Sequence, residues 1–315
     1  MGSAASECVL IMETARWVGQ AGKPTWRSVR MTGRSHRLVE VMNRVLQLVR
    51  AAPLTTFAIL ACGFGWMFRI AAVLRGETGA DQFPLGPIIA AAIVAGCLGR
   101  AGLTDWWRRL KTARTHPVWW IIAILGPIVL TTGAVLVNVA LGAPRPTGTQ
   151  LAGWPTLPGE LVGIFIAIGI GEEAGWTAFA TPQLLARHRF ATTFAIIAAI
   201  RVFWHLPLML DGSLPPVIGV VANAGFQFMV LWLYCRSGGV WWLAAVWHSF
   251  QNVVGGSFLF RMAEGADQAR LGTLLAVVYW LAVAVVVLLD RRWFSRQGGR
   301  PGLANVAPAP LSPTP

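Results

Sequence analysis

The chain is poor in charge. Asp, Glu, Lys and Arg make up 12% of its 315 residues, about half the share of about 25% usual for soluble domains. With 55% hydrophobic residues and a mean hydropathy of +0.59, that shortage excludes an ordinary soluble domain. It points instead to a polytopic membrane protein. Acidic residues are the scarcer kind, 13 against 26 basic ones. In a membrane protein such a surplus belongs to cytoplasmic loops beside anionic lipid, so no nucleic-acid partner is expected. The four cysteines form no C-x-x-C pair and no zinc-binding spacing, which leaves no disulfide framework and no structural zinc. There is no H-E-x-x-H, and no cofactor or metal is expected. The first fifty or so residues are polar and basic, without the apolar core of a secretory signal. The last five, Leu311–Pro315, are not a prenylation signal. No internal repeat or second domain is visible.

What the chain does have is long apolar runs. Spanning helices need roughly 20 mostly apolar residues. Eight stretches qualify, near 54–74, 85–99, 118–141, 160–181, 191–210, 214–235, 239–260 and 271–290. The expected fold is therefore all-α: a bundle of about eight transmembrane helices around a polar cavity, occupying residues 53–291. Asp211-Gly212-Ser213 and Ser237-Gly238-Gly239 are short links that make successive helices antiparallel. Residues 1–34 have no clear period and are expected to be a disordered basic N-terminus. Leu38, Val41, Met42, Val45, Leu46 and Val49 recur at helical spacing among arginines, which predicts an interfacial amphipathic helix over 35–52. Residues 292–315 are expected to be a disordered Pro/Gly-rich tail. Alternating the spans puts 20 Lys and Arg on one side and 4 on the other, with Arg69 and Arg201 inside helices. The richer side is expected to be cytoplasmic, with both termini on it.

Ionisable groups are rare within those spans. Glu172 and Glu173 are the only acidic residues well inside one, and His205 and His248 the only histidines. At roughly 1.5 Å per residue, Glu172 lies about 18 Å from the outer end of its helix and His248 about 14 Å from the inner end of its own. In a core about 30 Å thick these depths nearly coincide, and His205 falls close to them. Three helices thus bring titratable groups to one layer. Such groups are costly in hydrocarbon and by default mark a functional site. His248 and Asn252 are i, i+4 and share a face, as do Arg201 and His205, and Glu173 and Thr177. Asn223 and Gln227 give the sixth helix a polar stripe, read either as cavity lining or as interhelical hydrogen bonding. No serine or cysteine is placed as a nucleophile. A carboxylate and a histidine flanking one water could activate it, and a second histidine with an asparagine could stabilise an oxyanion. Alternatives on the same residues are a structural polar network, a His205/His248/Glu172 zinc site and a proton relay.

Glu172-Glu173 in a membrane helix, Trp204-His205-Leu206-Pro207, and His248-Ser249-Phe250-Gln251-Asn252 together resemble the three motifs of the CPBP family. These are the CAAX-processing and bacteriocin-processing (Abi) intramembrane glutamic endopeptidases, which work without a metal. The flanks Phe83-Pro84-Leu85-Gly86-Pro87 and Trp106-Trp107-Arg108-Arg109-Leu110, with Trp119-Trp120, are similar to many bacterial members. The resemblance covers about residues 50–290. It implies an eight-helix fold with a cavity open to the cytoplasmic side. It implies Glu172 and His205 as water activators, His248 and Asn252 as oxyanion hole, and Glu173 as an orienting carboxylate. It also implies a peptide substrate, lipidated or bacteriocin-like, entering from membrane or cytoplasm in a bacterial cell membrane. A non-catalytic immunity or scaffold protein on the same fold is the alternative. Two positions depart from the family pattern. Thr177 stands where an arginine is usual, and Arg201 where a phenylalanine is usual. Because buried charges seek partners, Arg201 is expected to replace the missing arginine by pairing with Glu173 or Glu172 across helices.

Overall fold

The computed structural model describes residues 33–77 and 82–296. The expected disordered regions lie largely outside these residues. Where the two overlap, at 33–34 and 292–296, the chain is helical. Among the described residues there is no strand, and the protein is an all-α polytopic membrane protein. The chain divides into two units between Arg44 and Val45. Of the first, the described part belongs to α1 (Gly33–Ala51), where Arg44 pairs with Glu40 at 2.5 Å.

The second unit holds the bundle. In order it contains α2 (Pro53–Leu74), α3 (Gly86–Cys97), α4 (Gly99–Lys111) and α5 (Pro117–Ala140). Then follow α6 (Gly148–Leu185), α7 (Phe190–Trp204), α8 (Leu206–Leu210) and α9 (Val217–Arg236). α10 is Trp242–Phe250 continued by the π-helical Gln251–Leu259; α11 (Gly265–Leu289) and α12 (Arg291–Arg296) close the chain. α2, α5, α6, α9 and α11 are long and apolar enough to cross a membrane. The other three expected spans are present but short or broken. α3 has 12 residues and α7 has 15.

Local sequence explains the boundaries. Pro53 and Pro117 each stand at the start of a helix, where a missing N–H costs nothing and φ is already helical. The expected helix over 191–210 breaks after Trp204, because Pro207 cannot donate to the carbonyl a turn earlier. Gly238 and Gly239 take φ of 81° and 89°, a left-handed pair that turns α9 into α10 within a few residues. α4 was not foreseen as a helix. Its Trp106, Trp107, Arg108 and Arg109 belong to one amphipathic element.

Contacts sort the links into two ends. At one, Thr115 donates to the Ser237 carbonyl at 3.0 Å, Trp241 and Trp242 donate to the Leu110 carbonyl at 3.2 and 3.0 Å, and Arg236 pairs with Asp290 at 2.8 Å. At the other, Arg270 donates to Asn138 at 2.7 Å, Gln150 to the Met262 carbonyl at 3.4 Å, and Arg69 pairs with Asp211. The first end carries eleven Lys and Arg in its links (98–116, 186–189, 236–241, 290–296). The second carries four (75–85, 141–147, 205–216, 260–270). They are called the basic end and the opposite end below. Around the bundle, side chains such as Ile59, Val129, Leu136, Val162, Leu281 and Leu288 are exposed. Outward apolar faces of this kind suit lipid, whose tails are as apolar as the side chains themselves.

Candidate active site

Glu172 and Glu173 sit in one α-helical turn of α6, Gly171–Gly175, between two π-helical stretches, Phe165–Ile170 and Trp176–Ala180. π-helical insertions recur at functional sites because they re-aim side chains without ending the helix. Gly171 and Gly175, one turn apart, bring this segment onto the start of α3. A Cβ on Gly175 would lie 2.5 Å from the Pro87 carbonyl oxygen, and one on Gly171 would lie 3.0 Å from that of Pro84. This small-xxx-small contact is a usual way for membrane helices to approach. It gives the Phe83–Pro87 stretch its place, as the wall behind the glutamates.

Arg201 on α7 is the centre of the polar cluster and is fully buried. Its Nη1 donates to Glu173 Oε1 at 2.8 Å and to Gln227 Oε1 on α9 at 3.1 Å; its Nη2 lies 3.5 Å from Glu172 Oε2. Its guanidinium also lies 5.2 Å from the Phe226 ring centroid, within cation–π range. Glu173 is saturated. Besides Arg201, Thr177 Oγ1 donates to its Oε2 at 2.5 Å and His248 Nδ1 lies 2.9 Å from its Oε1. Thr177, at the position of the missing arginine, thus keeps a bond to the carboxylate, while Arg201 supplies the charge from a neighbouring helix. Glu172 is different: it is buried, and its Oε2 has the longer Arg201 ion pair but accepts no hydrogen bond from the protein.

The histidines are held by their Nδ1 atoms. His205 caps the broken end of α7, and its Nδ1 lies 2.7 Å from the Arg201 carbonyl oxygen. A carbonyl can only accept, so Nδ1 carries the proton and a neutral ring keeps its lone pair on Nε2. Asn223 of α9 lies 3.2 Å from the same Nδ1. His248 is turned toward Glu173 in the same way. Asn252, one turn on, donates from Nδ2 to the His248 carbonyl at 3.0 Å, which leaves it a second amide hydrogen.

His205, Asn223, Phe226, His248, Gln251 and Asn252 line a cavity of about 130 Å³. The two glutamates are not among its lining residues. The structure therefore brings His205, His248 and Asn252 to one cavity and joins Glu173 to it through His248, with Glu172 linked by way of Arg201. It gives no direct contact between Glu172 and His205. One part of the site was not foreseen. Trp247 Nε1 donates to Tyr279 OH at 3.3 Å, and Tyr279 donates to Gln251 Oε1 at 2.6 Å, a chain ending at the cavity wall. A glutamine in mid-helix was its only signal in the sequence. Among the described residues, no group of three or more His, Cys, Asp and Glu is placed to hold a metal ion, so the His205/His248/Glu172 zinc reading has no ligand set there.

Residues 154–254 match the Rce1-like family, type II CAAX prenyl endopeptidase Rce1-like. The Rce1-like segment runs from the first turns of α6 to the middle of α10. It contains Glu172, Glu173, Arg201, His205, His248 and Asn252. At the level of the family, the match is to a CAAX-type membrane protease. No curated protein matches the chain.

Proposed function

We propose that the chain is an intramembrane peptidase that hydrolyses a peptide bond with water activated by Glu172 and His205. The observation that carries this reading is the inequality of the two glutamates. Glu173 has donors from Arg201, His248 and Thr177 and acts as a fixed counter-charge. Glu172 has an oxygen held only by the ion pair with Arg201 at 3.5 Å, with no hydrogen bond from the protein. A buried polar atom left without a hydrogen bond calls for a specific explanation, and a carboxylate that takes a proton from water supplies one.

The other roles follow from the hydrogen bonds. The Arg201 carbonyl holds the His205 ring so that Nε2 is the basic atom. The cluster sets two carboxyl groups against one guanidinium, so one further proton, on Glu172 or on His248 Nε2, makes it neutral. Passing that proton from the activated water to the departing amine is the acid–base part of the reaction. The free amide hydrogen of Asn252 donates to the oxyanion as the carbonyl carbon becomes tetrahedral, and His248 joins it only while its Nε2 carries the proton. The substrate is a membrane-associated peptide, and the basic end faces the cytoplasm of a bacterial cell.

The test is Glu172→Gln in purified protein. Hydrolysis of a peptide substrate falls by a factor on the order of 10²–10⁴, with the unfolding temperature unchanged. Full activity in this variant sinks the reading. The saturated Arg201–Glu173–Gln227 network also suits a non-catalytic scaffold, and an immunity function that survives Glu172→Gln would favour that alternative.

A further inference from the structure

The hydrogen bonds behind the cavity run in one direction. They start at Trp247 on α10, whose ring is buried against α5 where Gly126 has no Cβ to block it. An indole Nε1 can only donate, so Tyr279 OH of α11 accepts from it at 3.3 Å. The phenol hydrogen then belongs to the other neighbour, Gln251, 2.6 Å away. That length suits O–H···O and is short for N–H···O, so the Gln251 atom in contact is the acceptor Oε1. The amide cannot flip without leaving the Tyr279 hydrogen unmet, which is costly for a buried group. Its Nε2, with two hydrogens, is therefore turned away from Tyr279. Gly255, one turn on, leaves room for that nitrogen, because a Cβ there would collide with it. Gln251 borders the same cavity as His205, His248 and Asn252. It stands three residues after His248 and one before Asn252, on the side of α10 that these two share. The roles set out above use neither Gln251 nor Tyr279.

We propose that Gln251 Nε2 is a binding point for the substrate main chain, donating to a backbone carbonyl beside the scissile bond, with Tyr279 and Trp247 as positioning residues that fix it as a donor. This rests on the peptidase reading above. The carbonyl at which the bond breaks belongs to Asn252, so Gln251 serves a different one. An amide donor left without an acceptor in a desolvated cavity is costly, and a bound peptide removes that cost. A main-chain carbonyl is offered by every peptide, whatever its side chains. The Gln251 contact therefore holds the substrate in register without reading its sequence. Selection among side chains is left to the apolar part of the lining, Leu214, Ile218, Ala222 and Leu275.

The experiment uses purified full-length protein and a pool of quenched-fluorescent decapeptides of Ala, Leu, Val and Ser. The peptide cleaved fastest is remade with one amide at a time near the scissile bond as a thioamide, whose sulfur is a poor acceptor. At one position the thioamide lowers kcat/KM of the natural sequence about tenfold, the worth of one good hydrogen bond, and does so through KM. In Gln251→Met, which keeps the length of the side chain, the same thioamide costs less than about twofold. Equal thioamide losses in the natural sequence and in Gln251→Met overturn the proposal. Tyr279→Phe loses part of the discrimination and adds nothing further in the Gln251→Met background. Additive effects of the two would show that Tyr279 does not orient the amide. If Gln251→Met fails to fold, Gln251→Asn, whose amide is one methylene short, is read in the same way. If the natural sequence cleaves no peptide, the peptidase reading fails on its own, and equilibrium binding of the same pool decides the rest. Binding about tenfold weaker in Gln251→Met upholds the carbonyl contact, and equal binding sinks it.

Discussion

The two halves of α6 are built on different rules. Before the glutamates, residues such as Val162 and Ile166 are 61% and 58% exposed; after them, Ala174, Trp176 and Thr177 are at most 1% exposed. The change falls at Gly171-Glu172-Glu173. α9 repeats the pattern at Asn223–Gly225 and α10, running the other way, at Phe250–Asn252. The layer of titratable groups is therefore also the boundary between a tightly packed half and a loosely packed one. A charge cluster in the loose half would face lipid, and in the tight half no substrate could reach it. At the boundary, Arg201 and Glu173 are fixed from the packed side while His205 and Asn252 meet the cavity.

This comparison can be broken most forcefully at Arg201. Arg201→Ala leaves Glu173 buried without its counter-ion, an error of about 3–5 kcal/mol. Arg201→Ala with Glu173→Gln is milder than the single change. Chemical denaturation of the purified set checks this, and simple additivity of the two effects would show that the pair does not interact. Next comes the glycine face. Gly175→Ala pushes a methyl into the Pro87 carbonyl and costs about 1–3 kcal/mol, with activity lost as the glutamates shift. A variant of wild-type stability would mean α3 does not set their position. Smaller still is Trp106→Phe, which removes one hydrogen bond to Ala174 and about 0.5–1.5 kcal/mol, read as a lowered midpoint of unfolding. The smallest effect belongs to the loose half. Ile166→Ala stays within about 0.5 kcal/mol, and a larger loss there would erase the contrast.

Much of this was legible beforehand, for physical reasons. The spans could be read because hydrocarbon demands long apolar runs. The layer of ionisable groups could be read because Glu172, Glu173, His205 and His248 are costly at such depth. The pairing of Arg201 with the glutamates followed from the arginine missing at Thr177 and the one present at Arg201, because buried charges seek partners. Less could be read where packing overrode length. The break after Trp204, the shortness of α3 and the π-helical turns around the glutamates depend on neighbouring helices. The amphipathic α4 lies outside the eight apolar stretches because its apolar face is only a few tryptophans wide. The Tyr279–Gln251 bond depends on an interhelical register that no local pattern encodes. The resemblance carries residue roles and says nothing about how closely either half of this bundle packs.

The sealed half bears on bioenergetics. Glutamates and histidines placed midway through a bilayer are the usual parts of a proton wire, and moving one charge across 100 mV is worth about 2.3 kcal/mol. A water-filled path past Arg201 would drain the ion gradient of any cell that made this protein. The buried stretch Gly225–Cys235 and the Trp106 contact with Ala174 stop that path at the site. Protons can then be exchanged with one compartment only, and acid–base chemistry can run in mid-membrane without a leak.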